Sequence, residues 1–164
     1  NNDLIKFSVA PHAMYSCSDE YLRTCSDLAH KMNLPLHMHF CESMDEVNGI
    51  KKSHNTSCVD ALNSTGVFIN KVILAHCTFL EDSDLEFLKD KDVSIATNPI
   101  SNLNLGCGIA DITKYKKNGI NVCLGTDGQG SGSNLDLFEA MKFTALLQKG
   151  IEEDATSMPS YEIH

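Results

Sequence analysis

The sequence predicts an α/β domain built on a parallel sheet. Three observations carry that reading: short apolar, β-branched runs alternate with stretches of helical periodicity; the apolar runs are apolar nearly throughout; and five such units follow one another, each of roughly 25 to 35 residues. Alternation of this kind closes its hydrogen bonds in a parallel ladder covered by helices.

The units follow in order. The run 4–10 (LIKFSVA) is strand-like. A helix is expected over 18–33: Ser18 can cap it, Asp19 and Glu20 suit its positive first turn, and Leu22, Cys25, Leu28, Ala29 and Met32 share one face. Asn33 and Pro35 end it. The second unit pairs LPLHMHF with a helix around SCVDALNSTG. Three more pair KVILAHC with SDLEFLKDK, VSIATNP with IADITKYKKNG, and INVCLGTDG with NLDLFEAMKFTALLQKG. Gly119 and Gly150 stand where helix C-caps belong. No internal repeat and no linker divides the chain.

The 164 residues suffice for one domain with a real core, and 42% of them are hydrophobic. The net charge of -9 argues against nucleic acid as a partner, since the only small basic cluster is Lys114, Lys116 and Lys117. No apolar run approaches the ~20 residues that span a bilayer, and no leader pattern opens the chain. Seven cysteines, scattered through apolar segments without CxxC pairs, predict reduced, mostly buried thiols in a cytoplasmic protein.

The functional signal is one of position. A polar residue closes or follows every strand: His12, His39, His76, Asn98 and Asp127. Loops after parallel strands all emerge on one side of the sheet, so these groups are expected to face a common centre. A lone histidine at a strand end is ordinarily structural; several with an aspartate at one end of one sheet point to a site. His37 shares a strand face with His39 but lies two residues deeper, and serves as core or function equally well. His30 and His54 are expected in solvent, and His164 at the chain end is uninformative.

Imidazole and carboxylate are ordinary ligands for Zn²⁺ or Fe²⁺. Such an ion lowers the pKa of water from 15.7 to about 7. Glu42, three residues past His39, has left the strand and can move protons over a substrate. The Gly-rich stretch GTDGQGSGSN supports a rival reading, a non-catalytic nucleotide-binding module. It lacks the Gly-Lys-Ser/Thr ending of a P-loop and is no clean GxGxxG; a tight turn that lets substrate approach Asp127 explains its glycines more simply.

The segments APHAMYSCSDEYL, HMHFCES, ILAHCTFL, NPISNLNLGCGIADI and LGTDGQGSGSNLDLFEAMK resemble, in order, strand-end motifs of the amidohydrolase superfamily, in the branch of 5-methylthioadenosine/S-adenosylhomocysteine deaminase and its chlorohydrolase-like relatives. The resemblance implies a TIM (β/α)₈ barrel of the metal-dependent hydrolase type, of which this chain carries strands four to eight. It implies that His39 and Asp127 bind the metal, that Asp127 is also general base, and that Glu42 protonates the purine. It also implies that His76 stands beside the reacting water and that His12 contacts the sugar. Lys6 lies at the strand start, so no bridging carboxylated lysine is expected and one metal suffices. The implied reaction is hydrolytic deamination of an adenine-type nucleoside, with a chlorohydrolase or guanine-type deaminase as the alternative. The HxE and PCxxC elements of the zinc deaminases that act on nucleic-acid bases are absent.

The family's His-x-His on strand one is not HMH here, which precedes Asp127 by only 127 − 39 = 88 residues. A full barrel takes about 250 residues. The chain is therefore expected to be residues 1–164 of a barrel cut at both ends, with MPSYEIH opening a further helix. On its own it is expected to bind metal weakly, to lack activity, and to self-associate or form a homo-oligomer through open sheet edges.

Overall fold

The computed structural model describes residues 4–163. Four parallel strands form one sheet in the order β1-β2-β3-β4: β1 (Leu36–Phe40), β2 (Val72–His76), β3 (Val93–Thr97) and β4 (Asn121–Leu124). Among the described residues eight α-helices precede, join and follow the strands: α1 (Asp19–Met32), α2 (Met44–His54), α3 (Cys58–Asn63), α4 (Asp82–Leu88), α5 (Pro99–Asn104), α6 (Ile112–Lys117), α7 (Gln129–Gly132) and α8 (Leu137–Glu152). Consecutive strands are spatial neighbours throughout, the arrangement of successive βα units in a barrel wall.

Local chemistry sets the element ends. Ser18 caps α1 by accepting the Tyr21 N–H, and Asn33 closes it in a left-handed conformation at φ 50°. Ser43 caps α2 and Ser57 caps α3. Gly119, at φ 78°, follows α6 and donates its N–H to Lys116 O, as a C-cap glycine should. Gly150 does not play that role. It lies inside α8, which continues to Glu152 and is closed by Glu153 at φ 52°; one interior glycine costs about 1 kcal/mol, which a packed helix tolerates.

The first expected strand is reduced to one parallel bridge, Val9 to Leu36. Val9 donates to Pro35 O and accepts from His37 N–H, each at 2.9 Å. Leu4, Ile5 and Phe7 are exposed, so the earlier part of the run lacks the packing that holds a strand in a ladder.

Nearly unbroken apolar runs predict strands buried on both faces, but helices cover only one. Leu36, Met38, Phe40, Val72, Leu74, Val93 and Ile95 pack beneath the helices with Leu22, Leu62, Leu85 and Tyr115. The alternate residues, His37, His39, Ile73, Ser94, Ala96 and Cys123, line a face that no helix covers and are exposed or half-buried. Helices thus dress one side of the sheet, and the other is concave. On α1 the buried stripe is Leu22, Cys25, Ser26 and Ala29; Leu28 and Met32, expected with it, fall on its flank and are exposed. The seven cysteines are free thiols, five of them buried. Among the described residues no helix is long and apolar enough to cross a membrane.

Candidate metal centre

The site forms where the strands end. His39 occupies the last inner-face position of β1. Its backbone N–H and its Nδ1 both bond the carbonyl of His12, at 2.9 and 2.8 Å. That carbonyl only accepts, so Nδ1 carries the proton and Nε2 is left free. The two imidazoles lie 4.8 Å apart. His12 is exposed, with Nδ1 2.6 Å from Ser16 Oγ and its ring edge-on to Tyr15.

Strand alternation would aim His76 at the helix side, with Val72 and Leu74. Instead its φ is 72°, the following Cys77 is at 51°, and its ring stacks on His39 at 5.4 Å between centroids. Cys41 (φ 49°) and Asp127 (φ 59°) are also left-handed. A non-glycine residue there costs of order 1–3 kcal/mol, so four of them at strand ends mark where the backbone is bent to re-aim side chains. Neighbours over-determine the bends: Cys77 N–H bonds Phe40 O, Thr78 N–H bonds Cys41 O, and Tyr115 Oη donates to Cys77 O at 2.6 Å.

Asp127 follows β4. Its Oδ2 accepts hydroxyls from Ser101 (2.6 Å) and Ser131 (2.8 Å), and its Oδ1 accepts the Gly128 N–H (2.8 Å). Burial pushes this carboxyl up, but those three donors and His76 outweigh it, and the group is held below the usual carboxylate range. The Gly-rich stretch is thereby accounted for: its Gly128 N–H and Ser131 hydroxyl point at a carboxylate of the chain itself, which a phosphate would have to displace.

His39, His76 and Asp127 offer ligand atoms that lie within 4.8 Å of one another. His76 is fully buried; its Nδ1 lies 2.8 Å from Asn102 Oδ1 and its Nε2 has no partner. A buried, unpartnered imidazole nitrogen beside a second free nitrogen and an anionic carboxylate fits a divalent cation, and each donor has the outer hydrogen bond that metal ligands carry. Glu42, 16% exposed, places Oε1 3.7 Å from His76 Nε2. A cavity of about 580 Å³ opens on the concave face, lined by His12, His37, His39, Ala75, Ala96, Asn98 and Asp127. His37 lies on that face with its surface partly open and its ring partly enclosed; that enclosure first, and the nearby His39 second, lowers its pKa. His30 is exposed on α1, whereas His54, expected in solvent, is half-buried at 3.2 Å from Asp19. His164 lies outside the described residues.

The chain matches the amidohydrolase family model over residues 1–163. It belongs to the amidohydrolase family. It is 45% identical over 159 residues to the 5'-deoxyadenosine deaminase of Methanosphaera stadtmanae, covering 97% of this chain and 37% of that protein. It is 42% identical over 158 residues to the 5-methylthioadenosine/S-adenosylhomocysteine deaminase of Caldanaerobacter subterraneus, covering 96% and 36%. Among solved structures, an adenosine deaminase from Xanthomonas campestris with bound zinc superposes with a TM-score of 0.95 at 28% identity, covering 99% of this chain and 37% of that one. The chain thus spans a little over a third of these relatives, and the partial barrel wall is the amidohydrolase fold.

Sequence reasoning missed several members of the site. Ser101 and Asn102 are buried on α5, which no hydrophobic period announces in six residues. Glu46, also buried, accepts the Glu42 N–H at 2.8 Å. Its signal was available: Ser43-Met44-Asp45-Glu46 is a capping-box pattern, and Ser43 does accept the Glu46 N–H.

Proposed function

We propose that the protein containing this chain hydrolytically deaminates an adenine nucleoside modified at its 5' position. The observation that carries the reading is the convergence of His39, His76 and Asp127, with Glu42 beside His76 and a cavity lined by His39 and Asp127. The names of the 42–45% identical relatives support the substrate class.

His39 and Asp127 would hold one divalent ion, zinc first, with His76 next to it; bound there, it would lower the pKa of water to about 7. The chain supplies the rest. Asp127, kept anionic by its donors, accepts a proton from the attacking water. His76 offers Nε2 to orient that water. Glu42 delivers a proton to N1 of the ring as water adds at C6; the proton held by Asp127 passes to the 6-amino group, the C6–N bond breaks to release ammonia, and the C6 hydroxyl proton returns to Glu42 as the carbonyl forms. His12, exposed at the cavity mouth, meets the sugar.

Ammonia release by the zinc-loaded full-length protein tests this, using adenosine, 5'-deoxyadenosine, 5-methylthioadenosine, S-adenosylhomocysteine, guanine and a chlorotriazine. Turnover of an adenine nucleoside, cut about 10²-fold or more by Glu42→Gln, is expected. Turnover confined to guanine or the triazine would transfer the protein to the alternative chemistry, and turnover of none would end the proposal.

Five buried thiols dispersed through the core support a reducing, cytoplasmic setting. Leu135, Leu137, Phe138 and Leu146 are exposed around α8, beside β4, and support self-association of these residues when isolated. Light scattering is expected to give a mass above that of one chain; a monomer at micromolar concentration would contradict it.

A further inference from the structure

We propose that α5 is a two-residue clamp: Asn102 fixes His76 with its proton on Nδ1 while Ser101 holds Asp127 from behind, so that both groups offer an atom to the cluster they form with His39. Ser101 and Asn102 are consecutive and essentially without solvent exposure. Asn102 Oδ1 lies 2.8 Å from His76 Nδ1, and the Ser101 hydroxyl donates to Asp127 Oδ2 at 2.6 Å. Pro99 begins the turn, and Cys107 N–H to Asn102 O, at 2.7 Å, closes it.

The opposite tautomer is disfavoured on geometry. A proton on Nε2 of the fully buried ring would face Glu42 Oε1 at 3.7 Å, beyond hydrogen-bond reach. The competing donor to Nδ1, Asn98 Nδ2, stands at 3.4 Å, which is 3.4 − 2.8 = 0.6 Å farther than the Asn102 oxygen. With Nδ1 protonated, Nε2 presents a lone pair and can only accept. Asp127 Oδ2 meanwhile takes hydroxyls from Ser101 and Ser131, and Oδ1 takes one N–H, which leaves Oδ1 a lone pair for the site. Because both contacts come from one turn, displacing α5 disturbs both groups together. Ser101 and Asn102 are positioning residues. Calling their partners catalytic rests on the proposed function; the tautomer does not.

The test is the imidazole ¹⁵N spectrum of the full-length protein, freed of metal by chelator, at a pH where the ring is neutral. The His76 signals are assigned by their loss in His76→Gln. Protonated Nδ1 and bare Nε2 are expected in the wild type. Asn102→Ala should mix or reverse them, and Asn102→Asp, which keeps the acceptor, should restore them. In the zinc-loaded protein, Ser101→Ala is expected to lower kcat about 10- to 100-fold with a smaller change in KM, and Ser101→Thr to recover most of it. A wild-type His76 protonated on Nε2 overturns the proposal without any variant; so does a tautomer indifferent to Asn102→Ala in a protein whose circular dichroism is unchanged. The spectrum reads the clamp without turnover, so failure of the deaminase reading and failure of the clamp are separate results.

Discussion

Replacing Asp127 by asparagine is expected to lower kcat/KM by about 10³-fold or more while leaving the fold intact. Removal of a general base alone costs about 10²- to 10⁴-fold. Here the same change removes the negative charge that His39 and His76 share a site with. The amide also fits its surroundings badly. Oδ1 and Oδ2 together accept from Ser101, Ser131 and Gly128. An NH₂ group in place of either oxygen turns a donor onto a donor, at a cost of about 1–3 kcal/mol for the contact that cannot turn away. Hydroxyls rotate and a backbone N–H does not, so the amide should settle with its oxygen toward Gly128. Zinc content by mass spectrometry, measured beside turnover, separates the two losses. Stoichiometric zinc with no turnover isolates the proton role; loss of both points to the ligand role. Near-native turnover would remove Asp127 from the chemistry.

Gly132→Ala should unfold the same corner from the other side. A Cβ on Gly132 would stand 2.1 Å from Thr126 O and 3.3 Å from Thr126 C, so the backbone leading into Asp127 must move. Overpacking against main chain costs about 1–3 kcal/mol, and a shift of order 1 Å in a catalytic group costs about 10²-fold in rate. A denaturant melt and a turnover assay of the full-length protein should both register it. Gly128 and Gly130 provide the control: a Cβ at either meets nothing within 4 Å, so Gly130→Ala in the same loop is expected to be mild. Equal effects at 130 and 132 would mean that the loop's glycines serve flexibility and not this one close approach.

Much of this was legible in the chain. β1 to β4 read correctly because short apolar runs between turn residues have few alternatives, and polar residues at their ends stand out against such a background. Alternation alone did not reveal the concavity: His37 and His39 alternate with Leu36, Met38 and Phe40 as they would in a sheet covered on either side, and it was the resemblance to a (β/α)₈ barrel that implied helices on one face. The run 4–10 has strand composition, but composition does not supply neighbours, and only Val9 finds one. α5 escapes because a six-residue helix with Pro99, Ser101 and Asn102 buried shows no apolar stripe; its contents are chosen by the two groups that it touches. That His76 faces the common centre was expected from its place at a strand end; the left-handed backbone that delivers it was hidden, since period-two alternation would turn it to the helix side and nothing in the letters announces that φ.

The bond from His39 to its support has a consequence for how such a site can diversify. The acceptor is the carbonyl of His12, which every amino acid possesses. Substitution at position 12 therefore alters what the cavity mouth presents to a ligand and leaves the orientation of His39 to the main chain. Selection for a new substrate can act on that side chain without first turning the His39 imidazole away from the cluster it forms with His76 and Asp127. The Ser101 and Asn102 contacts, made by side chains, grant no such freedom.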